Sequence, residues 1–197
     1  MQRCNVIKRM IEPEILLQGY QLGVFPMAME DGSIEWFSPA RRGIIPLEKF
    51  HLPHTARRAW QRGEFEIKID SVFAQVIRSC AQRRETWIND EIIGSYEQLH
   101  ALGHAHCVET WRDGALVGGL YGVAIGGVFF GESMFHEVTD ASKVALAALV
   151  ERLKEREFIL LDTQWLTPHL VQFGAIEVSR AKYLELLEQA LSLQRTF

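Results

Sequence analysis

The chain is poor in cysteine: 197 residues carry three, Cys4, Cys80 and Cys107, with no CxxC pair. An odd number at wide spacing excludes a disulfide framework and a cysteine-built zinc site, and fits thiols kept reduced. Long apolar runs are missing as well. None approaches the roughly 20 residues of a membrane span, and the opening MQRCNVIKRMIEPE lacks the apolar stretch of a signal peptide. These absences predict a cytoplasmic protein without membrane attachment. Nor is there an excess of positive charge, since 21 Lys and Arg face 25 Asp and Glu for a net charge of -4. A histone-like binder is thereby excluded, and any nucleic-acid partner must meet a local basic patch. The glycine-rich stretch from Gly118-Gly119 to Gly131 does not contain G-x-x-x-x-G-K-[ST], so it reads as turns and close strand packing rather than a phosphate loop. His100, His104 and His106 do not share one face across a helix stop and a strand, so no metal is expected.

What is present is a folding composition, 48% hydrophobic and 23% charged, in a chain long enough for one or two domains. Pro13 at a first-turn position predicts a short helix through Ile15, Leu16 and Tyr20. Turn residues then crowd positions 27–53, leaving brief apolar segments at 34–37 and 44–47 that are able to pair as strands. This stretch predicts a small irregular domain over residues 1–55. From residue 56 to 197 the pattern is regular. Residues 65–69 alternate as a strand, Asp70 is placed to cap a helix through Val72, Phe73, Val76, Ile77 and Cys80, and Asn89 caps a second that stops at Gly103. Asp113-Gly114 and Gly126-Gly127 join residues 105–112, 115–125 and 128–135 into an antiparallel meander. Asp140 opens an apolar helix, residues 158–161 form a strand ending at Asp162, and a short helix, a strand at 175–178 and a Ser179-capped helix follow. The order is α+β, with a mixed sheet flanked by helices and a small N-terminal α/β domain. It is that of an acetyltransferase-like (GNAT-like) fold.

Three local patterns carry possible chemistry. Gly131-Glu132-Ser133-Met134-Phe135 follows a strand but lacks the second glycine of G-x-S-x-G, so a serine-hydrolase elbow is rejected. Arg57, Arg58, Arg62, Lys68, Arg78, Arg83 and Arg84 cluster near Trp60 and Phe65; spacing alone leaves phosphate binding and a solvated helix face equally open. Asp162-Thr163-Gln164 puts a carboxylate and a carboxamide at i and i+2, on one side of a strand. Strand-end turn capping by the Asp is the simpler reading of that spacing.

Taken together, seven segments decide further. Phe25-Pro26-Met27; Trp36-Phe37-Ser38-Pro39 with Arg42-Gly43-Ile44 and Pro46-Leu47; Thr86-Trp87-Ile88; Leu102-Gly103-His104-Ala105-His106; Gly131 to Phe135; Ala141-Ser142-Lys143; and Leu161 to Gln164 running on to Gly174-Ala175 closely resemble the bacterial leucyl/phenylalanyl-tRNA–protein transferases, in order and spacing. The resemblance runs from about Tyr20 to Leu187. It implies an aminoacyltransferase that moves Leu or Phe, and also Met, from aminoacyl-tRNA to acceptor proteins beginning with Arg or Lys, marking them for N-degron degradation. It implies catalytic Asp162, Gln164 and Glu132, and an amino-acid side-chain pocket of Leu120, Phe129, Met134, Leu146, Leu149, Leu153 and Leu161. It also implies adenosine binding by Trp36, Phe37, Gly131 and Ser133, and tRNA binding by Arg57, Arg58, Arg62 and Lys68. No cofactor is expected: residues 136–142, where acetyl-CoA relatives carry a glycine-rich phosphate loop, contain no glycine. A monomer is expected. The readings set against this one are an acyl-CoA-dependent N-acyltransferase and a non-catalytic module that binds aminoacyl-tRNA.

Overall fold

The computed structural model describes residues 10–82 and 86–197. Cys4, Arg83 and Arg84 lie outside that range. Pro13 opens α1 (Pro13–Gln21), and the hairpin strands β1 (Phe25–Ala28) and β2 (Ile34–Phe37) pair with each other. The remaining strands are β3 (Arg41–Ile45), β4 (Glu66–Ile69), β5 (Ala105–Arg112), β6 (Ala115–Ile125), β7 (Val128–His136), β8 (Leu160–Gln164) and β9 (Ile176–Ser179). They form one sheet in the order β4-β5-β6-β7-β8-β3-β9. Every pairing is antiparallel except β7 with β8, which is parallel. The expected meander is β5, β6 and β7, and α5 (Ala141–Glu155) is the crossover that makes the parallel pair possible.

Helices cover both faces. On one side α1, α3 (Phe73–Ala81), α4 (Asp90–Ala101) and α7 (Arg180–Leu191) pack on Cys107, Tyr121 and Phe130 of the sheet. On the other, α5 packs on Val108, Leu120 and Phe129, with α2 (His54–Gln61) beside it. Neighbouring strand residues thus go to opposite cores, as the two-residue period requires. Helix α5 is apolar on most sides because it is sunk in the second core, where Ala145, Leu146, Leu149 and Leu153 are all buried, while Val144 packs with Phe65 and Val117. Each such leucine is worth about 1.5–3 kcal/mol relative to exposure. A short helix, α6 (Pro168–Val171), capped by the Thr167 hydroxyl, follows β8.

Three local expectations change. Strand β3 sits inside the large sheet between β8 and β9. The segments at 34–37 and 44–47 accordingly do not pair with one another. Asp70 does not cap α3: its backbone turns left-handed (φ 57°), and its carboxylate accepts from the Cys107 amide and pairs with His106. Glu109 of β5 takes the amides of Ser71 and Val72 instead, a cross-strand partner that no local pattern announces. Asp140 precedes α5 without a side-chain cap and binds Lys143.

Candidate active site

Strands β7 and β8 run side by side only as far as Phe130 and Asp162, while β7 continues to His136. A cavity of about 780 Å³ opens where they part, within the range typical of ligand sites. The chain reshapes β7 at this point. Gly122 faces Gly131 but Tyr121 faces Ser133, so Glu132 is the extra residue of a β-bulge. A bulge re-aims the side chains that follow it. Glu132 turns toward Tyr20 and Tyr96 on the α1/α4 side, and Met134 falls on the opposite, apolar side against the second core.

Glu132 is gripped from three elements. Its Oε1 accepts from the Tyr20 hydroxyl of α1 at 2.7 Å and from Gln164 Nε2 at 3.0 Å, and its Oε2 accepts from the Tyr96 hydroxyl of α4 at 3.3 Å. The two tyrosine hydroxyls also bond to each other. Burial pushes the Glu132 carboxyl up to about 8; the nearby Asp162 charge adds to this, while the Tyr20 hydrogen bond and Arg42 oppose it. Burial likewise raises Tyr20 and Tyr96 far above the ordinary phenol range, with the Glu132 charge adding to it. Both phenols therefore keep their single protons, which the three contacts among Tyr20, Tyr96 and Glu132 share with the proton on the Glu132 carboxyl. Because Nε2 of Gln164 is spent on Glu132, its amide oxygen is the end left to accept from a substrate.

Gln164 and Asp162 do not face the cavity together. Gln164 has φ 57°, and the Trp165 amide donates to the Thr163 carbonyl at 2.7 Å, so a tight three-residue turn ends the strand and breaks its alternation. Gln164 lines the cavity and Asp162 does not. Asp162 is wholly buried, and its oxygens take Arg42 Nε at 2.9 Å, Arg42 Nη2 at 2.6 Å, the Tyr183 hydroxyl at 2.7 Å and the Gln164 amide at 2.9 Å. Arg42 is 1% exposed and lies between the rings of Phe25 and Tyr183. Burial alone would lower its pKa, and the charge and hydrogen bonds of Asp162, with smaller contributions from Tyr183 and Glu132, together more than offset this, so the pKa is raised. Gly43, next in β3, allows the chain after Gln164 to pass close by: a Cβ there would stand 2.6 Å from the Trp165 carbonyl carbon.

On the apolar side Leu120, Met134, Leu146, Leu149 and Leu161 line the cavity, whereas Phe129 and Leu153 stand behind them in the same core. Gly131 and Ser133 are on the wall, as are His136 and His169. Trp36 and Phe37 are not on the wall. Being consecutive on β2 they point to opposite faces: Trp36 lies over Gly19, and Phe37 packs on Phe25 and Trp165. The aromatic faces that do line the cavity include Trp87 and Trp165. Arg57 and Arg58 are exposed on α2 and Arg62 just after its end, beside the edge strand β4 that carries Lys68; Arg78, on α3, is on the other face of the sheet and pairs with Glu97. Sequence reasoning gave no role to Tyr20, Tyr96, Tyr183 or Arg42. The tyrosines sit in helical apolar stripes and read as core, their hydroxyls being the one signal to the contrary.

The family model described as leucyl/phenylalanyl-tRNA protein transferase matches residues 44–188, and that of the N-terminal domain of the same family matches residues 9–40. The chain belongs to the leucyl/phenylalanyl-tRNA protein transferase family. It is 53% identical to a leucyl/phenylalanyl-tRNA–protein transferase of Ruegeria pomeroyi over 92% of this chain and 88% of that one. It is also 53% identical to that of Herpetosiphon aurantiacus, over 95% and 98%. Among solved structures, L-PGS from Bacillus licheniformis overlays with a TM-score of 0.42 at 14% identity, over 82% of this chain and 56% of that one. In this transferase family member no helix among the described residues is long and apolar enough to cross a membrane.

Proposed function

We propose that this chain transfers Leu or Phe from aminoacyl-tRNA to the N-terminal residue of acceptor proteins that begin with Arg or Lys, in the cytoplasm, where charged tRNA is found. The observation that carries the reading, beside family membership, is one cavity with two unlike ends that meet at Gln164. One end is the apolar wall of Leu120, Met134, Leu146, Leu149 and Leu161; the other is the polar group of Glu132 and Gln164. The wall carries the carboxyls of Glu132, held protonated up to about pH 8, and of Glu137, with no Lys or Arg among the described residues. Glu137 favours a cationic N-terminus over the phosphate chain of the tRNA, so that the esterified end enters.

The reaction needs little acid–base power. The donor is an ester and the attacking group an α-amine of pKa about 7.7–8.0, a useful part of it neutral at working pH. The amine nitrogen forms the new bond to the ester carbonyl carbon, the bond to the ribose oxygen breaks, and the amine proton goes to that oxygen. Gln164 is no base. Its amide oxygen accepts from the amine and holds it in line with the carbonyl, and Glu132 holds the amide and the amino group; positioning of this kind supplies most of the rate. The Leu or Phe side chain occupies the apolar wall, where one methylene is worth only about 1–3 kcal/mol, so Met is tolerated. The terminal adenine stacks at the mouth on Trp87 or Trp165, near Gly131 and Ser133, and Arg57, Arg58, Arg62 and Lys68 follow the acceptor stem.

The test is transfer of labelled Leu from charged tRNA to a protein beginning with Arg, beside a version beginning with Ala and an RNase-treated sample. Label on the Arg protein alone, lost after RNase, supports the reading. Binding of charged tRNA without transfer supports a binding module, and acyl transfer from an acyl-CoA supports the N-acyltransferase.

A further inference from the structure

Asp162 has no acceptor position to spare. An ionised carboxylate offers about four, and four donors fill them: Arg42 Nε and the Gln164 amide on Oδ1, Arg42 Nη2 and the Tyr183 hydroxyl on Oδ2. The side chain is fully buried and off the cavity wall, so a substrate amine finds no place on it. What Asp162 does hold is the backbone of Gln164, at the left-handed residue that turns the strand end. Arg42 is itself held by Gly23 O at 3.1 Å on Nη1 and by the rings of Phe25 and Tyr183, whose centroids lie 4.6 Å and 4.5 Å from its Cζ. This two-point fork is beyond the reach of a lysine.

We propose that Arg42 is a positioning residue of the transfer reaction: its clamp on Asp162 fixes the Gln164 turn, and the Gln164 amide carries the effect to the attacking amine. The inference rests on the proposed reaction. Asp162 then neither takes nor gives a proton during transfer. Its charge is spent inside the protein, and its influence reaches the substrate through one backbone hydrogen bond.

The experiment is single-turnover and steady-state transfer of Leu to an Arg-initiated peptide by the wild type, Arg42→Lys, Asp162→Asn, Gln164→Ala and the two double variants. Arg42→Lys is expected to lower turnover about tenfold or more, with KM for charged tRNA unchanged within about twofold. In the Gln164→Ala background the same change is expected to cost less than about twofold, because residues acting as a unit are not additive. The loss is also expected to be the same at every pH from about 6 to 9. Losses that multiply in the double variant, or an acid limb displaced upward in Arg42→Lys, would overturn the proposal by giving Asp162 a direct part. If Arg42→Lys melts below the assay temperature, the isosteric Asp162→Asn runs the same cycle and is judged on the same outcomes. A wild type that transfers nothing refutes the reaction itself, a failure separate from multiplying losses in an active enzyme.

Discussion

Replacing Glu132 by Gln removes the one cavity carboxyl that burial has pushed up to about 8. The folded protein keeps a proton there across a window, from the ordinary glutamate value of about 4.3 up to about 8, in which the unfolded chain has already released it. The folded state therefore binds more protons, and wild-type stability falls as pH rises through that window and levels off above it. Glu132→Gln has nothing to ionise and escapes this loss. Each pH unit carries about 1.4 kcal/mol at full effect. Part of the side chain faces the cavity, which roughly halves the total, leaving about 2–3 kcal/mol. For a chain of this size that is about 4–12 °C in melting temperature. Melting followed by circular dichroism at about pH 5 and pH 9 makes the comparison. The variant should gain on the wild type between the two, and melting curves that keep a constant separation would refute the argument.

Four further outcomes follow from named contacts. Asp162→Ala should lower turnover far more than affinity for charged tRNA; unchanged turnover would remove Asp162 from the account. Arg58→Glu should weaken tRNA binding and reduce the slope of log K against log salt by about 1, and an unaltered slope would move the tRNA path away from α2. Leu146→Phe narrows the apolar wall and should lower kcat/KM for Phe donors more than for Leu donors by about tenfold; equal losses would place the side chain elsewhere. Gly43→Ala puts a methyl against the Trp165 backbone, so it should cost about 1–3 kcal/mol and slow transfer, and a fully stable, fully active variant would contradict that contact.

Much of this is legible in the sequence because the signals are local. Asp113-Gly114 and Gly126-Gly127 specify the hairpins of β5, β6 and β7, Asn89 and Ser179 do cap their helices, and the period of α5 announces its burial. The parts that were hidden depend on long-range partners. That Asp162 and Gln164 separate follows from one left-handed residue at the strand end, and i, i+2 spacing carries no mark of it. Arg42 meets Asp162 across 120 positions of sequence, and Tyr20 meets Glu132 across 112. Trp36 and Phe37 show the reverse case: two adjacent aromatics suggest a single stacking platform, yet strand geometry sends them to opposite faces.

The central claim is that the ester end of aminoacyl-tRNA is held where β7 and β8 part, with Gln164 beside the reacting carbonyl. The most direct measurement is a structure of the protein with an adenosine bearing leucine through an amide at the 3′ position, which cannot be transferred. The account predicts the leucine side chain among Leu120, Met134, Leu146, Leu149 and Leu161, and the amide carbonyl within about 3–4 Å of the Gln164 side chain. The analogue bound with its leucine away from that wall, or lying next to Asp162, would contradict it.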